Sequence, residues 1–162
     1  MPEIIYYSRV ESPVGPLLLA VSERGLVALE FDRGKVAAGW VESSEKTAAG
    51  ARQLDEYFAG RRRQFDLTLD LRGTDFQKGC WHELLKIPYG ETRSYADIAR
   101  AIGKPAAVRA VGLANGQNPI AIIVPCHRVI GSDGSLTGYG GGLDVKRKLL
   151  ELEGALSGML VA

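Results

Sequence analysis

The dominant hydrophobic period of this chain turns helical at Thr74. Between Ile4 and Leu71 the apolar residues fall in short runs and period-two alternations, whereas from Thr74 onward they recur at spacings of three and four. A period-two segment buries one face in a sheet, and a helical period buries one stripe of a helix. The change therefore calls for two packing systems, an α/β one over 1–72 and a mainly α one over 73–162, with the boundary near Arg72 or Gly73. A chain of 162 residues is long enough for two small cores.

In the first part, IIYYSRV, LLLAV and LVALEF are separated by the turn-like SPVGP and SERG, the pattern of an antiparallel meander. A stretch of small and polar residues from Ala37 to Ala51 leads into RQLDEYF, a predicted helix ended by Gly60, and QFDLTLDL alternates as a further strand. Arg61, Arg62 and Arg63 between them read as a solvated loop. Nothing in this half carries visible chemistry.

Composition narrows the function classes. With 46% hydrophobic and 24% charged residues, the chain is no disordered tail. Twenty Lys and Arg against nineteen Asp and Glu leave a net charge of +1, so any polyanion contact has to be local. The opening MPEIIYYSRVES has no basic segment ahead of an apolar one, and no apolar run nears the roughly 20 residues that cross a bilayer. The expected location is the cytoplasm, without a membrane partner. Two cysteines, Cys80 and Cys126, make no disulfide framework; with His82 and His127 as the two histidines and no CxxC pair, no metal site is expected. Six of the twenty glycines fall between Gly131 and Gly142, where the chain has to turn tightly or admit something close to its backbone.

From Thr74 the spacing predicts a helix with Asp75 as N-cap and Phe76, Cys80, Trp81, Leu84 and Leu85 on its buried stripe, broken at KIPYG. Cys80 lies in the stripe as a small hydrophobe, and His82, off it, reads as a surface residue. In SYADIARAIGKPAAVRAVGLANG, Ser94 and Asp97 form a capping box, Gly103 ends the first helix, and Pro105 is expected at the first position of a second. Ala107, Val108, Val111 and Ala114 cluster on its inner side. The opposite face carries Ala106, Arg109, Ala110, Leu113 and Gly116, nearly bare of bulk and with one long cation. Two helices so joined serve to set a helix in a DNA groove, and the same geometry also serves plain helix packing. The four basic residues and one acidic residue between Arg93 and Arg109 fit phosphates.

The run NPIAIIVPCHRVIG delivers a thiol, Cys126, at the end of an apolar segment read as a buried strand, with Pro125 holding Val124 extended. Neighbours on a strand point to opposite faces, so His127 serves Cys126 there only through a bend or a bridging water. A free thiol is mostly protonated at neutral pH and needs a base or a positive field to react. In LDVKRKLLELEG, Asp144 is the expected cap, Val145, Leu149 and Leu152 point inward, and Gly154 ends the helix. Glu153 opposes the helix dipole in the last turn; it has a partner or it is solvated.

The segment NGQNPIAIIVPCHRVIGSDGSLTGYGGG, with PCHRV at its core, resembles the active-site region of the O6-alkylguanine-DNA alkyltransferases. The likeness runs from TDFQ through IPYGETRSYADIA to LLELEG, and more loosely over SPVGPLLLA. It implies a ribonuclease H-like N-terminal α/β domain with an antiparallel sheet and helix, followed by a winged-helix-like domain with a helix-turn-helix. It also implies single-use repair by a monomer, without a cofactor, of double-stranded DNA containing alkylated guanine, and of O4-alkylthymine as a further lesion class. Cys126 would take the alkyl group, with His127 as base through water and Glu153 orienting it. Arg109 would fill the gap left by the flipped nucleotide. Tyr95 would assist rotation and donate toward N3 of the base, with Lys146 near it, and Asn118 would tie the recognition helix to the active-site segment. Ser94, Ala106, Ala110, Asn115 and Gly116 complete the DNA-contacting set, and the base pocket comprises Pro125, Val129, Tyr139 and Gly140, with the Cys126 and Val129 carbonyls reading the exocyclic amine.

The chain departs from the family pattern in three places. It lacks any cysteine or histidine before Cys80, which leaves no N-terminal zinc site. Gly140 stands where some members have serine, and Gln117 where a basic residue is common. Three other classes compete. A non-catalytic damage flag would lack Cys126, a transcription regulator would bind DNA sequence-specifically, and a cysteine hydrolase would need an oxyanion hole and would turn over.

Overall fold

The computed structural model describes residues 2–156, and the chain divides into two compact units, one ending at Arg72 and one beginning at Gly73. No helix among the described residues is long and apolar enough to cross a membrane.

The first unit is a four-stranded sheet with one helix. Strands β1 (Tyr6–Val10), β2 (Leu17–Ser22) and β3 (Gly25–Phe31) form the expected antiparallel meander, with Tyr6 opposite Val21 and Leu19 opposite Leu29. The sheet is nevertheless mixed. The short β4 (Val41–Glu42) lies within the stretch read as small and polar, and it pairs parallel to β1, giving the order β3-β2-β1-β4. Two residues hold no periodicity to read, so this pairing was invisible locally.

The central strand is buried on both faces, as Leu17, Leu18, Leu19 and Ala20 all show no exposure. Helix α1 (Ala48–Phe58) covers the Leu19 face, where Gly50 lies so close that an added Cβ would stand 2.9 Å from a Leu19 methyl. Ala20, Ala28 and Ile5 pack on the other side with Tyr7 and Trp40.

The alternation in QFDLTLDL does not become a strand. It meets the sheet in a single parallel bridge at Leu26 and Leu69. Around that bridge Leu26 N donates to Thr68 O, and Asp70 N to Leu26 O. Upstream, the Gln53 side chain from α1 satisfies both backbone groups of Asp66, at 3.0 and 2.8 Å, in place of a ladder. Gly25 makes the close approach possible, since with φ +143° its missing Cβ would stand 2.5 Å from the Thr68 carbonyl oxygen.

The second unit packs α2 (Asp75–Leu84), α3 (Tyr95–Ala101) and α4 (Val108–Gly116) against one another. Thr74, not Asp75, caps α2, in a reciprocal box with Gln77. Cys80, Trp81 and Leu84 are buried, but Leu85 falls at the C-cap, outside the stripe, and is 41% exposed. The Trp81 indole donates to the Ala114 carbonyl at 2.9 Å, a buried bond that clamps α2 to α4.

Ser94 and Asp97 form the expected box at the start of α3, and Gly103 follows its end with φ +75°. Pro105 does not open α4. It sits in a turn closed by Ala107 N to Lys104 O at 2.8 Å, where its fixed φ and missing N–H are equally well used. Val108, expected inside, is 39% exposed at the open first residue of the helix.

Helix α5 (Leu143–Leu152) is capped by Gly142, with Asp144 in its first turn rather than at the cap. Its buried residues include Lys146, Leu149 and Leu150, while Leu152 is half-buried.

Candidate active site

The apolar run before the thiol is a turn instead of a strand. Ile123 N bonds Ala121 O and Val124 N bonds Ile120 O, while Ile122 adopts φ +71°. A left-handed β-branched residue costs on the order of 1–3 kcal/mol. Burial on every side holds it there, since Ile120 through Val124 are all buried. Asn118 braces the turn: its amide nitrogen donates to Val124 O at 2.7 Å and its oxygen accepts from Ile120 N at 3.0 Å. The asparagine thereby joins the end of α4 to the segment carrying the thiol.

Past Pro125 the chain enters a 3₁₀ turn, Cys126–Arg128, and then β6 (Val129–Ile130), which pairs parallel with β5 (Arg93–Ser94) just ahead of α3. Consecutive residues of a 3₁₀ turn diverge by about 120° instead of the 180° of a strand. The opposition of Cys126 and His127 expected from a strand is thus relieved by the bend.

Glu153, at the C-cap of α5, is not solvated. Its side chain is wholly buried and its Oε2 lies 2.8 Å from His127 Nε2. Arg128, which sequence reasoning passed over, grips the same carboxylate: Nε donates to Oε1 at 2.8 Å and Nη2 to Oε2 at 3.0 Å. Its Nη1 donates to Ile87 O at 2.7 Å, and the guanidinium lies 5.8 Å from the Tyr89 ring centre. This buried cation offsets the helix dipole that opposes Glu153. The signal was present, a cation next to the thiol and histidine, but no local pattern tells a buried arginine from a solvated one.

These contacts set the protonation states. Burial pushes Glu153 up, but the hydrogen bonds from His127 and Arg128 and the Arg128 charge outweigh it and hold the carboxyl down at about 2. Burial pushes His127 below its ordinary value, against the opposing pull of Glu153. The neutral ring donates Nε2–H to the carboxylate, and Nδ1 is left buried with no partner among the described residues. Burial also pushes the Cys126 thiol up, with Asn118, the Lys146 charge and backbone N–H groups in partial opposition.

Lys146 is fully buried, pushed down to about 8 by desolvation, with Nζ donating to Thr137 O at 2.7 Å and standing 6.0 Å from the centre of the Tyr95 ring. The Tyr95 hydroxyl reaches the same carbonyl at 3.4 Å. Tyr139 is half-buried, its phenol raised well above its ordinary value by burial and by charge on Cys126 and Glu153. Val129 and Pro125 are buried beside the thiol, and Gly140 is exposed.

On α4, Arg109, Ala110, Leu113 and Gly116 are exposed as expected, as is Ala106 in the turn before it. Ser94 is half-buried, and its oxygen accepts from Asp97 N. Asn115 departs from its place in the DNA-contacting set. It is 6% exposed and turned inward, with Nδ2 donating to the Cys126 carbonyl at 3.4 Å. Among the described residues no group of three His, Cys, Asp or Glu could hold a metal.

Comparison with known proteins places both units. Residues 5–71 match the family described as 6-O-methylguanine DNA methyltransferase, ribonuclease-like domain, and residues 75–155 match 6-O-methylguanine DNA methyltransferase, DNA binding domain. The methylated-DNA-protein-cysteine methyltransferase of Methanosarcina barkeri is 58% identical over 153 residues, 92% of this chain and 97% of the relative. That of Mycobacterium tuberculosis is 56% identical, covering 93% of each. The crystal structure of Mycobacterium tuberculosis OGT in complex with DNA is similar with a TM-score of 0.88 at 55% identity, over 93% of both chains.

Proposed function

Because this chain belongs to the 6-O-methylguanine DNA methyltransferase family of DNA-repair proteins and has methylated-DNA-protein-cysteine methyltransferase activity, we propose that Cys126 is the atom carrier of that activity. The substrate is double-stranded DNA holding an O6-alkylated guanine, met in the cytoplasm by a single copy of the chain. O4-alkylthymine is a secondary lesion.

The observation that carries this reading is the buried His127–Glu153 pair next to the buried Cys126, with His127 Nδ1 left without a hydrogen-bond partner among the described residues. An ionised Glu153 holds the ring so that Nδ1 presents a lone pair. A water at Nδ1 relays the thiol proton to it. The sulfur then attacks the alkyl carbon, the bond from that carbon to O6 breaks, and its electron pair leaves on the guanine, which is reprotonated. A thioether is a poor leaving group, so the alkyl group stays and each molecule acts once. His127 is the base and Glu153 the residue that positions it.

The reacting oxygen lies inside the duplex stack, out of reach of a buried thiol, so the nucleotide has to swing out. The exposed small face of α4 enters the minor groove, Arg109 fills the vacated stack, and Ser94, Ala106, Ala110 and Gly116 lie along the backbone. Tyr95 guides the rotated phosphate and donates to the purine ring as negative charge develops there, with Thr137 holding its hydroxyl and Lys146 over its ring. Tyr139 and Gly140 cover the base, Val129 and Pro125 wall it, and Asn118 keeps helix and thiol in register.

A transfer assay on duplex DNA containing O6-methylguanine tests this. One equivalent of methyl per protein is expected, bound to the peptide containing Cys126, and none for Cys126→Ser. Catalytic excess, or methyl retained by Cys126→Ser, overturns the assignment.

A further inference from the structure

We propose that Leu113 selects the sequence context of the lesion: its side chain covers the minor-groove floor beside the vacated stack and disfavours a G·C pair there. Three observations point to it. Leu113 is 64% exposed, more than any other large hydrophobic among the described residues. It follows Arg109 by four residues and Ala110 by three on the outer side of α4, so the three side chains share one face. Its neighbours toward the helix end on that face are small, which leaves the isobutyl group as the single bulky apolar projection between Arg109 and Gly116.

Packing does not call for it. The inward positions Val111 and Ala114 already fill the core side of α4, and Leu113 adds nothing to that core. A single exposed leucine is ordinary on a protein surface; this one is informative because its face is continuous with Arg109 on the side of α4 that meets DNA. The inference rests on the minor-groove reading above. Four residues of helix advance about 6 Å. That is less than two base-pair rises of about 3.4 Å, so Leu113 meets the groove within two pairs of the gap that Arg109 fills.

There an A·T pair presents only ring-edge and carbonyl acceptors, whereas a G·C pair adds an amino group that stands out from the floor. A leucine offers that donor no acceptor. Covering the amino group removes its water and leaves it unmatched, while an A·T edge has no projecting group to cover. The pair concerned is a stacked neighbour of the lesion and not the flipped base, whose recognition belongs to the pocket.

Single-turnover methyl transfer by wild type and Leu113→Ala tests this on duplexes containing O6-methylguanine. Each of the two pairs on either side of the lesion is made in turn G·C or hypoxanthine·C, and A·T or 2,6-diaminopurine·T. The members of each couple differ only in the minor-groove amino group. Ease of unstacking is a property of the duplex and cancels in the ratio of wild-type to variant rate. Leu113 is exposed and alanine is the better helix former, so the variant keeps the fold, and rates are normalised to the fraction of protein that transfers. At one of the four positions the ratio is expected to fall about fivefold whenever the amino group is present, in both couples. A ratio indifferent to the amino group at all four positions would overturn the proposal. Uniform slowing of the variant on every duplex would do the same, since it marks a wedge or a backbone contact that reads no sequence. Failure of wild type to methylate Cys126 on any duplex would instead strike the underlying reading.

Discussion

Glu153 accepts from a neutral histidine and a charged arginine at once, and only the ionised form can do so. Its carboxyl lies at about 2 in the folded chain against an ordinary 4.5. A lowered folded value stabilises the native state above the unfolded value, and the stabilisation is lost as pH falls through the folded one. The contribution is thus complete above pH 4.5 and disappears toward pH 2, and the difference corresponds to about 3 kcal/mol. Glu153→Gln is expected to lower stability at neutral pH by about that amount or more, because the Arg128 charge is left buried and unpaired. It should also flatten the acid decline between pH 4.5 and 2. Urea midpoints across that range check this, and a variant curve parallel to wild type would show that the carboxylate is not held ionised. The same substitution slows methyl transfer by weakening the hold on the imidazole.

At the scale of elements, α4 serves two surfaces with nine residues. Its inner side is clamped by the Trp81 indole and braced through Asn118, while Arg109 stands exposed opposite. If Arg109 fills the space of a flipped nucleotide, its loss matters only when there is a stack to fill. Unstacking a base costs a few kcal/mol, so Arg109→Ala is expected to slow repair in duplex DNA about 100-fold. Reaction with the free O6-alkylguanine base should be nearly unchanged. Stopped reactions on the two substrates decide it, and equal losses on both would discredit the role.

For the molecule as a whole, charge is the relevant quantity. A net charge of +1 gives no general attraction to DNA, and the cations near α4 are Arg93, Arg100, Lys104 and Arg109. Two of these are already paired, Arg93 with Glu91 and Arg100 with Asp97. Each phosphate neutralised contributes about −0.9 to the slope of log K against log salt, so a slope of about −2 to −4 is expected on undamaged duplex. Fluorescence anisotropy over a salt series measures it. A slope steeper than about −6 would require a second basic surface.

What could be read along the chain was what neighbours decide. Both halves and their boundary followed from the period of apolar residues, the box at Ser94 and Asp97 from two residues three apart, the meander from turn residues between short apolar runs, and the thiol from a rare string of residues. The sequence was silent or misleading wherever a partner lay far away. Val41 and Glu42 pair with β1 across more than thirty residues. The period-two alternation around Leu69 is spent on one bridge because the backbone of Asp66 is taken by Gln53. The run before the thiol turns, with Ile122 left-handed, because burial on all sides outweighs local preference. Glu153 and Arg128 look like surface charges in their own segments and become a buried pair only when α5 meets the 3₁₀ turn. Local order follows from propensity and capping over a few residues, whereas burial and long-range pairing are properties of the packed chain, and the protonation states that serve the thiol depend on the latter.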